Sequence, residues 1–164
     1  MTHVRPFRPA THPAMAAEKT VNPVIPSIRE ALSGLSRKLP PLPGPQRNTT
    51  HASVAVIIRQ AETPEVLLIK RAEAEGDPWS GHMAFPGGRW SSGDDDLLET
   101  ATRETEEETG VDLASIGATL GRLEPLEPST FRLPPISIFP FVFSVPGDTR
   151  ARVASQEVDE VLWT

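Results

Sequence analysis

The chain has 164 residues, of which 38% are hydrophobic, so it is long enough for one domain with a buried core. Its formal net charge of −6 argues against nucleic acid or an anionic membrane as the main partner, because both bind basic surfaces. The absence of cysteine excludes thiol catalysis, disulfides and thiolate metal sites, and no apolar run reaches the roughly 18 residues of a membrane helix. We therefore expect a cytoplasmic protein; its oligomeric state does not follow from the sequence.

The first 50 residues are predicted to be the least regular part of the chain, since they hold half of the 18 prolines. Residues 1–26 lack a periodic apolar pattern, so we expect them to be disordered or loosely packed. The segment "SIREALSGLSRKL" has apolar residues at helical spacing, and Ser27 with Glu30 forms a possible capping box. We therefore predict that residues 27–50 contain a short amphipathic helix on the rim of the domain and a proline-rich linker.

Residues 51–164 are predicted to form one mixed α/β domain. Runs of β-branched and aliphatic residues predict strands at "SVAVIIR", "EVLLIKR", "MAF", "ATLGRLEPL", "ISIFPFVFSV" and "EVLWT". Residues 97–109 are predicted to form a central helix, because their apolar residues recur at helical spacing. Strands around one helix, with another helix upstream, indicate a layered α/β fold.

The central helix carries an unusual concentration of acid. Glu104, Glu107 and Glu108 stand at positions i, i+3 and i+4, which brings three carboxylates together beside the apolar stripe. Like charges at this spacing repel, so a helix selected for stability alone would avoid them. A divalent cation would remove the repulsion, and oxygen ligands suit Mg²⁺ or Mn²⁺. The alternative interpretation is a solvated acidic face.

The residues on either side of the helix favour a site over a solvated face. Gly87 and Gly88 permit a tight turn with close backbone approach before the helix. Gly110 stands where a helix C-terminus prefers a left-handed residue, and "GDDD" supplies aspartate at the N-terminus. These signals predict a helix whose acidic face lies beside a glycine turn.

The stretch from Gly88 to Val111 resembles the signature of the Nudix hydrolases, G-x5-E-x7-R-E-U-x-E-E-x-G-U, where U is a bulky aliphatic residue. The second half of the pattern is matched by Arg103, Glu104, Glu107, Glu108, Gly110 and Val111. The first half departs from it, since Asp94 stands at the acidic position and one extra residue separates it from Arg103. Thr105 also replaces the usual aliphatic residue.

The resemblance implies a Nudix-type α/β/α sandwich with a mixed β-sheet. It also implies Mg²⁺- or Mn²⁺-dependent hydrolysis of a nucleoside diphosphate linked to another group. Similar domains continue beyond the strand that matches "EVLWT" into a helix that covers the sheet, so we expect this chain to lack that closing helix.

The resemblance assigns roles to particular residues. It implies that Glu104, Glu107 and Glu108 are catalytic metal ligands and that the carbonyl of Gly87 adds a further ligand. Arg103 would orient a glutamate, although its spacing from Glu99 also permits a surface ion pair. Similar enzymes often bring an acidic residue from outside the signature to the cluster, and Glu157, before the final strand, is the candidate for this general base.

The upstream segment "LLIKRAEAEGDPWSGHMAFPGG" resembles the additional motif of the coenzyme A diphosphatases, L-L-x-x-R-[S/A]-x3-R-x3-G-x3-F-P-G-G. The matching residues are Leu67, Leu68, Arg71, Ala72, Gly81, Phe85, Pro86, Gly87 and Gly88. Gly76 occupies the place of the second arginine, and the spacing from there to Gly81 is one residue longer.

This second resemblance implies that coenzyme A or an acyl derivative is the substrate, cleaved to 3′,5′-ADP and 4′-phosphopantetheine. The alternatives are ADP-ribose, dinucleotides or dNTPs, or a nucleotide-binding module without catalysis. Arg71, Arg89, Phe85 and Arg132 are the candidate substrate-binding residues, since they supply cations or an apolar surface near the predicted site.

Overall fold

The computed structural model describes residues 23–43, 50–128 and 135–164. Of the segment 1–26 predicted to be disordered or loosely packed, residues 1–22 lie outside these ranges, as do residues 44–49 of the predicted linker and the candidate Arg132. The described helices are α1 (Val24–Ser36), α2 (Leu97–Thr109) and α3 (Leu113–Ile116), and the strands are β1 (Thr50–Gln60), β2 (Glu65–Arg71), β3 (Met83–Ala84), β4 (Gly87–Arg89), β5 (Ala118–Arg122), β6 (Ile136–Pro146) and β7 (Val158–Trp163). None of the described helices has the length and apolar character needed to span a membrane.

The strands of the described residues form a mixed sheet in the order β3-β2-β1-β6-β5. Strand β1 runs parallel to β6 over its whole length, from Thr50 opposite Ile136 to Gln60 opposite Pro146. All other pairings are antiparallel, with β4 on β1 and β7 on β2. Each predicted strand is present. Strand β4 and helix α3 are additional elements, too short to show a period in the sequence.

The sheet is covered on both faces, because neighbouring residues of a strand point to opposite sides. On one face, Ile57 and Phe141 pack with Leu97 and Ala101 of α2. On the other face, Ile58 and Val142 pack with α1 through Ile25 and Leu32. The predicted α/β/α sandwich with a mixed sheet is therefore confirmed.

Helix α1 differs from the expectation in three respects. It begins at Val24, and Ile25 is already buried, so the boundary predicted at residue 26 lies three residues too late. The predicted capping box is wrong, because Pro23 is the N-cap and the Ser27 hydroxyl instead donates to the Pro23 carbonyl. The helix also lies across a sheet face and not on the rim, since a Cβ on Gly121 of β5 would come within 2.8 Å of the Leu32 Cβ.

Candidate active site

Helix α2, which carries the acidic residues, begins and ends where the sequence predicts. The Asp96 side chain accepts a hydrogen bond from the Glu99 amide at 2.9 Å, which caps the N-terminus. Gly110 has a φ of 68° and donates its amide to the Glu106 carbonyl, so it ends the helix in the left-handed conformation that glycine adopts most easily.

Threonine replaces aliphatic residues on the buried side of α2. Thr105 and Thr109 are completely buried. The Thr105 hydroxyl donates to the Ala101 carbonyl, and the Thr109 hydroxyl donates to the Thr105 carbonyl, both at 2.7 Å. Because each hydroxyl has a partner in the preceding turn, threonine is tolerated at the signature position that usually holds an aliphatic residue.

The turn at Gly87 and Gly88 brings the backbone against both β1 and α2. A Cβ on Gly87 would lie 2.2 Å from the Ser53 carbonyl oxygen, so no side chain fits there. A Cβ on Gly88 would lie 2.4 Å from the carboxyl carbon of Glu104. Gly87 is thus required by its close approach to the backbone of the neighbouring strand, whereas a side chain at position 88 would displace the Glu104 carboxylate.

Glu108 is the most buried of the predicted ligands, with 3% of its surface exposed. Its Oε2 accepts a hydrogen bond from the Gly87 amide at 2.9 Å. Burial raises the pKa of Glu108 to about 7, and the charges of Glu104 and Glu157 act in the same direction. The Gly87 hydrogen bond and the charge of Arg71 oppose this rise in pKa. The sequence analysis placed this carboxylate beside the apolar stripe of α2. In the structure Glu108 lies on the buried stripe itself.

Glu104 lies at the edge of the same group. Burial raises the pKa of Glu104, the contact with Arg103 opposes this, and the charges of Glu107 and Glu157 raise it further. Glu107 is exposed. The three glutamates of α2 therefore range from buried to exposed, and the two less exposed ones have pKa values above the usual range of a glutamate.

Arg103 connects the acidic residues of α2 to a carboxylate outside the helix. Its Nε and Nη2 donate to the two carboxylate oxygens of Asp94, at 2.7 and 3.0 Å. Its Nη1 lies 2.9 Å from Glu104 and 3.1 Å from Glu107. The alternative surface pair with Glu99 is not formed in the described part of the chain. Arg103 therefore contacts two of the three glutamates, and its role in orienting a glutamate stays a prediction.

Asp94 is a buried carboxylate whose partner the sequence did not reveal. It is 8% exposed and also accepts hydrogen bonds from the Ser91 amide at 3.1 Å and the Thr100 hydroxyl at 2.9 Å. The hydrogen bonds from Arg103 are the largest cause that lowers the pKa of Asp94, to about 2. The signal in the sequence was that Asp94 stands at the acidic position of the signature counted from Gly88, although one extra residue separates it from Arg103.

Glu157 reaches the same region from the segment before β7. Its backbone carbonyl accepts a hydrogen bond from the Ala72 amide at 2.9 Å. The preceding loop is held to the end of α2, because Ala154 donates to the Glu108 carbonyl at 3.1 Å. The Glu157 side chain is exposed, and its negative charge raises the pKa of Glu104 and of Glu108.

The candidate substrate-binding residues differ in exposure and in whether they form an ion pair. Arg71 donates from Nε and Nη2 to Asp77, at 3.2 and 2.7 Å, an interaction that the sequence analysis missed. Phe85 is 37% exposed. Arg89 is also exposed and forms no ion pair with any residue that the structure describes. Arg132 lies outside the described residues.

The side chains of the site fit a hard divalent cation in their chemistry. All the donors are carboxylate oxygens, and mutual repulsion contributes to the raised pKa values of Glu104 and Glu108, so a cation between them would be favourable. Within residues 23–43, 50–128 and 135–164, no three acidic or histidine side chains converge into a closed ligand set. In this arrangement Arg103 contacts Glu104 and Glu107, and Glu108 accepts the hydrogen bond from the Gly87 amide.

The layered α/β fold, with a carboxylate-bearing helix beside a glycine turn, is the architecture of a Nudix domain. The NUDIX domain family model matches residues 49–164. The chain belongs to the Nudix family. A Nudix hydrolase NudL of Yersinia enterocolitica is 38% identical over 98 residues, which are 58% of this chain and 49% of that protein. The NudL of Pectobacterium atrosepticum is 31% identical over 136 residues, 82% of this chain and 67% of that protein.

A third relative, an uncharacterized protein of Schizosaccharomyces pombe, is 35% identical over 141 residues, 73% of this chain and 42% of that protein. The chain thus spans about half the length of two of these three relatives.

Solved structures show the same fold. A binary complex of an Ap4A hydrolase of C. elegans superposes with a TM-score of 0.56 at 22% identity, covering 70% of this chain and 78% of that one. The NUDIX domain of Shewanella oneidensis NrtR, complexed with ADP ribose, superposes with a TM-score of 0.54 at 19% identity and covers 72% and 73%. At these identities the likeness shows the fold alone.

Proposed function

We propose that this chain catalyses the divalent-metal-dependent hydrolysis of the diphosphate linkage in a nucleoside diphosphate derivative. The observation that carries this proposal is that Glu104 and Glu108 of α2 both lie against the Gly87–Gly88 turn, while Glu157, from the segment before β7, adds its negative charge to both. The raised pKa values of Glu104 and Glu108 show that the charged forms of these two carboxylates are costly to the fold, which favours a functional reason for them.

The metal ligands in this proposal are Glu104, Glu107, Glu108 and the carbonyl of Gly87. A bound Mg²⁺ or Mn²⁺ would neutralise the charge of the diphosphate and acidify the attacking water. Arg103 orients Glu104 and Glu107 through its contacts with both carboxylates. Glu157 is the general base, because its carboxylate is exposed to water and its charge acts on the buried Glu108.

The substrate that we propose is coenzyme A or an acyl derivative, cleaved to 3′,5′-ADP and 4′-phosphopantetheine. The pattern from Leu67 to Gly88 supports it, since recognition outside the metal site must come from such additional segments. Arg71, Arg89 and Arg132 would contact phosphate groups, and Phe85 offers an exposed apolar surface to the pantetheine arm.

A second candidate, ADP-ribose, is favoured by one observation in that segment. Gly76 replaces the second arginine and has a φ of 83°, a conformation that side chains with a Cβ adopt only with strain. The loop therefore lacks one cation, and a charge-assisted contact to phosphate contributes about 1.5–3 kcal/mol. This loss shifts the preference towards derivatives without a 3′-phosphate, a group that includes dinucleotides.

The test is a hydrolysis screen of the purified chain with Mg²⁺ or Mn²⁺. The substrates are coenzyme A, 3′-dephospho-coenzyme A, ADP-ribose, dinucleotides and dNTPs, with Glu108→Gln and a chelator as negative controls. A higher kcat/KM for coenzyme A than for its dephosphorylated form supports the coenzyme A assignment, and equal values contradict it. Nucleotide binding without turnover of any of these compounds would indicate a non-catalytic module. The cytoplasmic location stays a prediction.

A further inference from the structure

The loop between β2 and β3, residues 72–82, is closed by one backbone hydrogen bond at its base and another at its tip. The Arg71 amide donates to the His82 carbonyl at 3.0 Å, which joins the two ends. At the tip, the Asp77 amide donates to the Ala74 carbonyl at 3.2 Å and closes a four-residue turn. Gly76 is the third residue of this turn, and its φ of 83° is the value that a type II turn requires there. The loop is therefore a defined structure that places Asp77.

Asp77 uses both carboxylate oxygens within this loop. Its Oδ2 accepts hydrogen bonds from Nη2 and Nε of Arg71, at 2.7 and 3.2 Å, and its Oδ1 accepts one from the Trp79 amide at 3.1 Å. The two charged side chains are mostly covered, with 28% and 19% exposed for Arg71 and Asp77. The hydrogen bonds from Arg71 lower the pKa of Asp77, so the pair stays ionised at neutral pH.

Arg71 lies at an irregularity in the pairing of β2 with β7. The register of β2 on β7 shifts between Lys70 and Arg71, so that Lys70 lies opposite Glu160 and Arg71 opposite Val158. Such an irregularity bends a strand and changes the direction of its side chains. The next residue along the chain, Ala72, donates its amide to the Glu157 carbonyl. Arg71 and Glu157 thus lie at the same end of the paired strands.

The remaining nitrogen of Arg71 is available to a ligand. In the part of the chain that the structure describes, Nη1 has no hydrogen-bond partner, while Nε and Nη2 are taken by Asp77. The positive charge of Arg71 also lowers the pKa of the buried Glu108 carboxylate, so the guanidinium lies near enough to the acidic site for its charge to act there. An arginine held on one edge and open on the other is arranged to contact an anionic group beside the site.

The geometry points to Asp77 as a positioning residue that holds the Arg71 guanidinium beside the acidic site, with Nη1 directed to the diphosphate of the bound nucleotide. The inference rests on the proposed function, in that the nucleotide diphosphate lies at the acidic site. A free arginine side chain samples many rotamers, and binding would have to order it. A side chain that is already ordered avoids this cost, so Asp77 increases affinity without touching substrate.

The test uses Asp77→Asn, which removes the charge and keeps an oxygen for the Trp79 amide. We expect KM to rise about tenfold with kcat within twofold, because Arg71 contacts the diphosphate equally before and during the reaction. Glu73→Gln is the matched control, since Glu73 is an acid of the same loop that bonds Ser80 and not Arg71. It should leave both constants unchanged.

A double-mutant comparison separates positioning from general loop stability. In an Arg71→Ala background, Asp77→Asn should have no further effect on KM, because the side chain that it positions is gone. The same variants are compared for ADP binding by calorimetry with Mg²⁺, where Asp77→Asn should raise Kd about tenfold.

An unchanged or lower KM and Kd in Asp77→Asn would overturn the inference, the lower values showing that Asp77 competes with the ligand for Arg71. Equal effects of Asp77→Asn with and without Arg71 would also overturn it. If the unaltered chain hydrolyses nothing but its ADP binding depends on Asp77, the proposed function fails and the positioning role stands.

Discussion

The guanidinium of Arg103 forms two hydrogen bonds to the carboxylate of Asp94, at 2.7 and 3.0 Å, and contacts Glu104 and Glu107 with its third nitrogen. Asp94 precedes α2 and is itself held by the Ser91 amide. One buried carboxylate outside the helix therefore determines the direction of an arginine, and through it the positions of two glutamates.

Removing the charge of Asp94 should destabilise the domain. Asp94→Asn weakens two charge-assisted hydrogen bonds to Arg103, for which we expect a loss of about 2–3 kcal/mol in the free energy of unfolding. Urea unfolding at pH 7 measures it. Asp95→Asn is the control, because Asp95 is the exposed neighbour and should change stability by less than about 0.5 kcal/mol. Equal stabilities of the two variants would contradict the role assigned to the buried pair.

The same pair predicts a pH dependence. Arg103 lowers the pKa of Asp94 from 3.8 to about 2, so the folded state binds the proton less readily than the unfolded chain. The stabilisation is complete above about pH 4 and is lost as the pH falls through about 2. The difference in stability between the unaltered chain and Asp94→Asn should therefore shrink from pH 5 to pH 2. A difference that stays constant over this range would show that the pKa of Asp94 is not lowered.

Glu108→Gln should reduce turnover on the order of a hundredfold or more, as loss of other electrostatic stabilisers of a transition state does. The glutamine oxygen can still accept the Gly87 amide, and burial raises the pKa of Glu108 to about 7, so the neutral side chain avoids a buried charge. We therefore expect a melting temperature at pH 8 that equals or exceeds that of the unaltered chain. Glu106→Gln, on the exposed side of α2, is the control and should keep full activity. Near-normal turnover in Glu108→Gln would refute the ligand assignment.

Gly88→Ala should separate activity from stability. The new methyl group would meet the Glu104 carboxyl carbon at 2.4 Å, and the flexible end of that side chain can move away. The free energy of unfolding should change by less than about 1 kcal/mol, while displacement of Glu104 should lower kcat/KM at least about tenfold. Gly93→Ala has open space, with the Ser91 hydroxyl at 4.0 Å as the nearest group, and should lower kcat/KM by much less.

Glu157→Gln should lower kcat about a hundredfold or more if Glu157 is the general base, a role that contributes typically 10²–10⁴-fold. Its pH–rate profile should lose the acidic limb that reports ionisation of the base. Asp159→Asn is the control, because Asp159 lies two residues further along the chain, in β7, and pairs with Lys70 at 3.9 Å. A pH profile that is identical in Glu157→Gln and the unaltered chain would exclude Glu157 as the base.

Helix α1 should be required for stability, unlike the residues before it. Leu32 is 6% exposed between α1 and the sheet, so Leu32→Ala should cost about 2–4 kcal/mol by urea unfolding. Leu126→Ala, the same change at a leucine that is 58% exposed, should cost less than about 1 kcal/mol. Deletion of residues 1–22 should leave hydrolysis unchanged, whereas a deletion that includes Ile25 should lower the melting temperature. Loss of activity on deleting 1–22, with the fold retained, would assign those residues to the substrate site.

Local patterns of the sequence determined the longer elements of this protein, although not the short β4 and α3. The bounds of α2 follow from Asp96 and Gly110, because capping depends on residues within a few positions of the helix end. The strands follow from short runs of β-branched and aliphatic residues, and Glu104 and Glu108 share a helix face because the α-helical repeat places them one turn apart.

The tertiary structure decided everything that depends on contacts between distant parts of the chain. The burial of Glu108 against Gly87, the pairing of Arg103 with Asp94 and the approach of Glu157 to the cluster all result from how the turn and loops pack on α2. No period or spacing encodes these distances, because each depends on where the sheet places its neighbours. For the same reason, the sequence predicted an amphipathic helix near residue 27, but only packing of Leu32 over β5 determined which surface that helix covers.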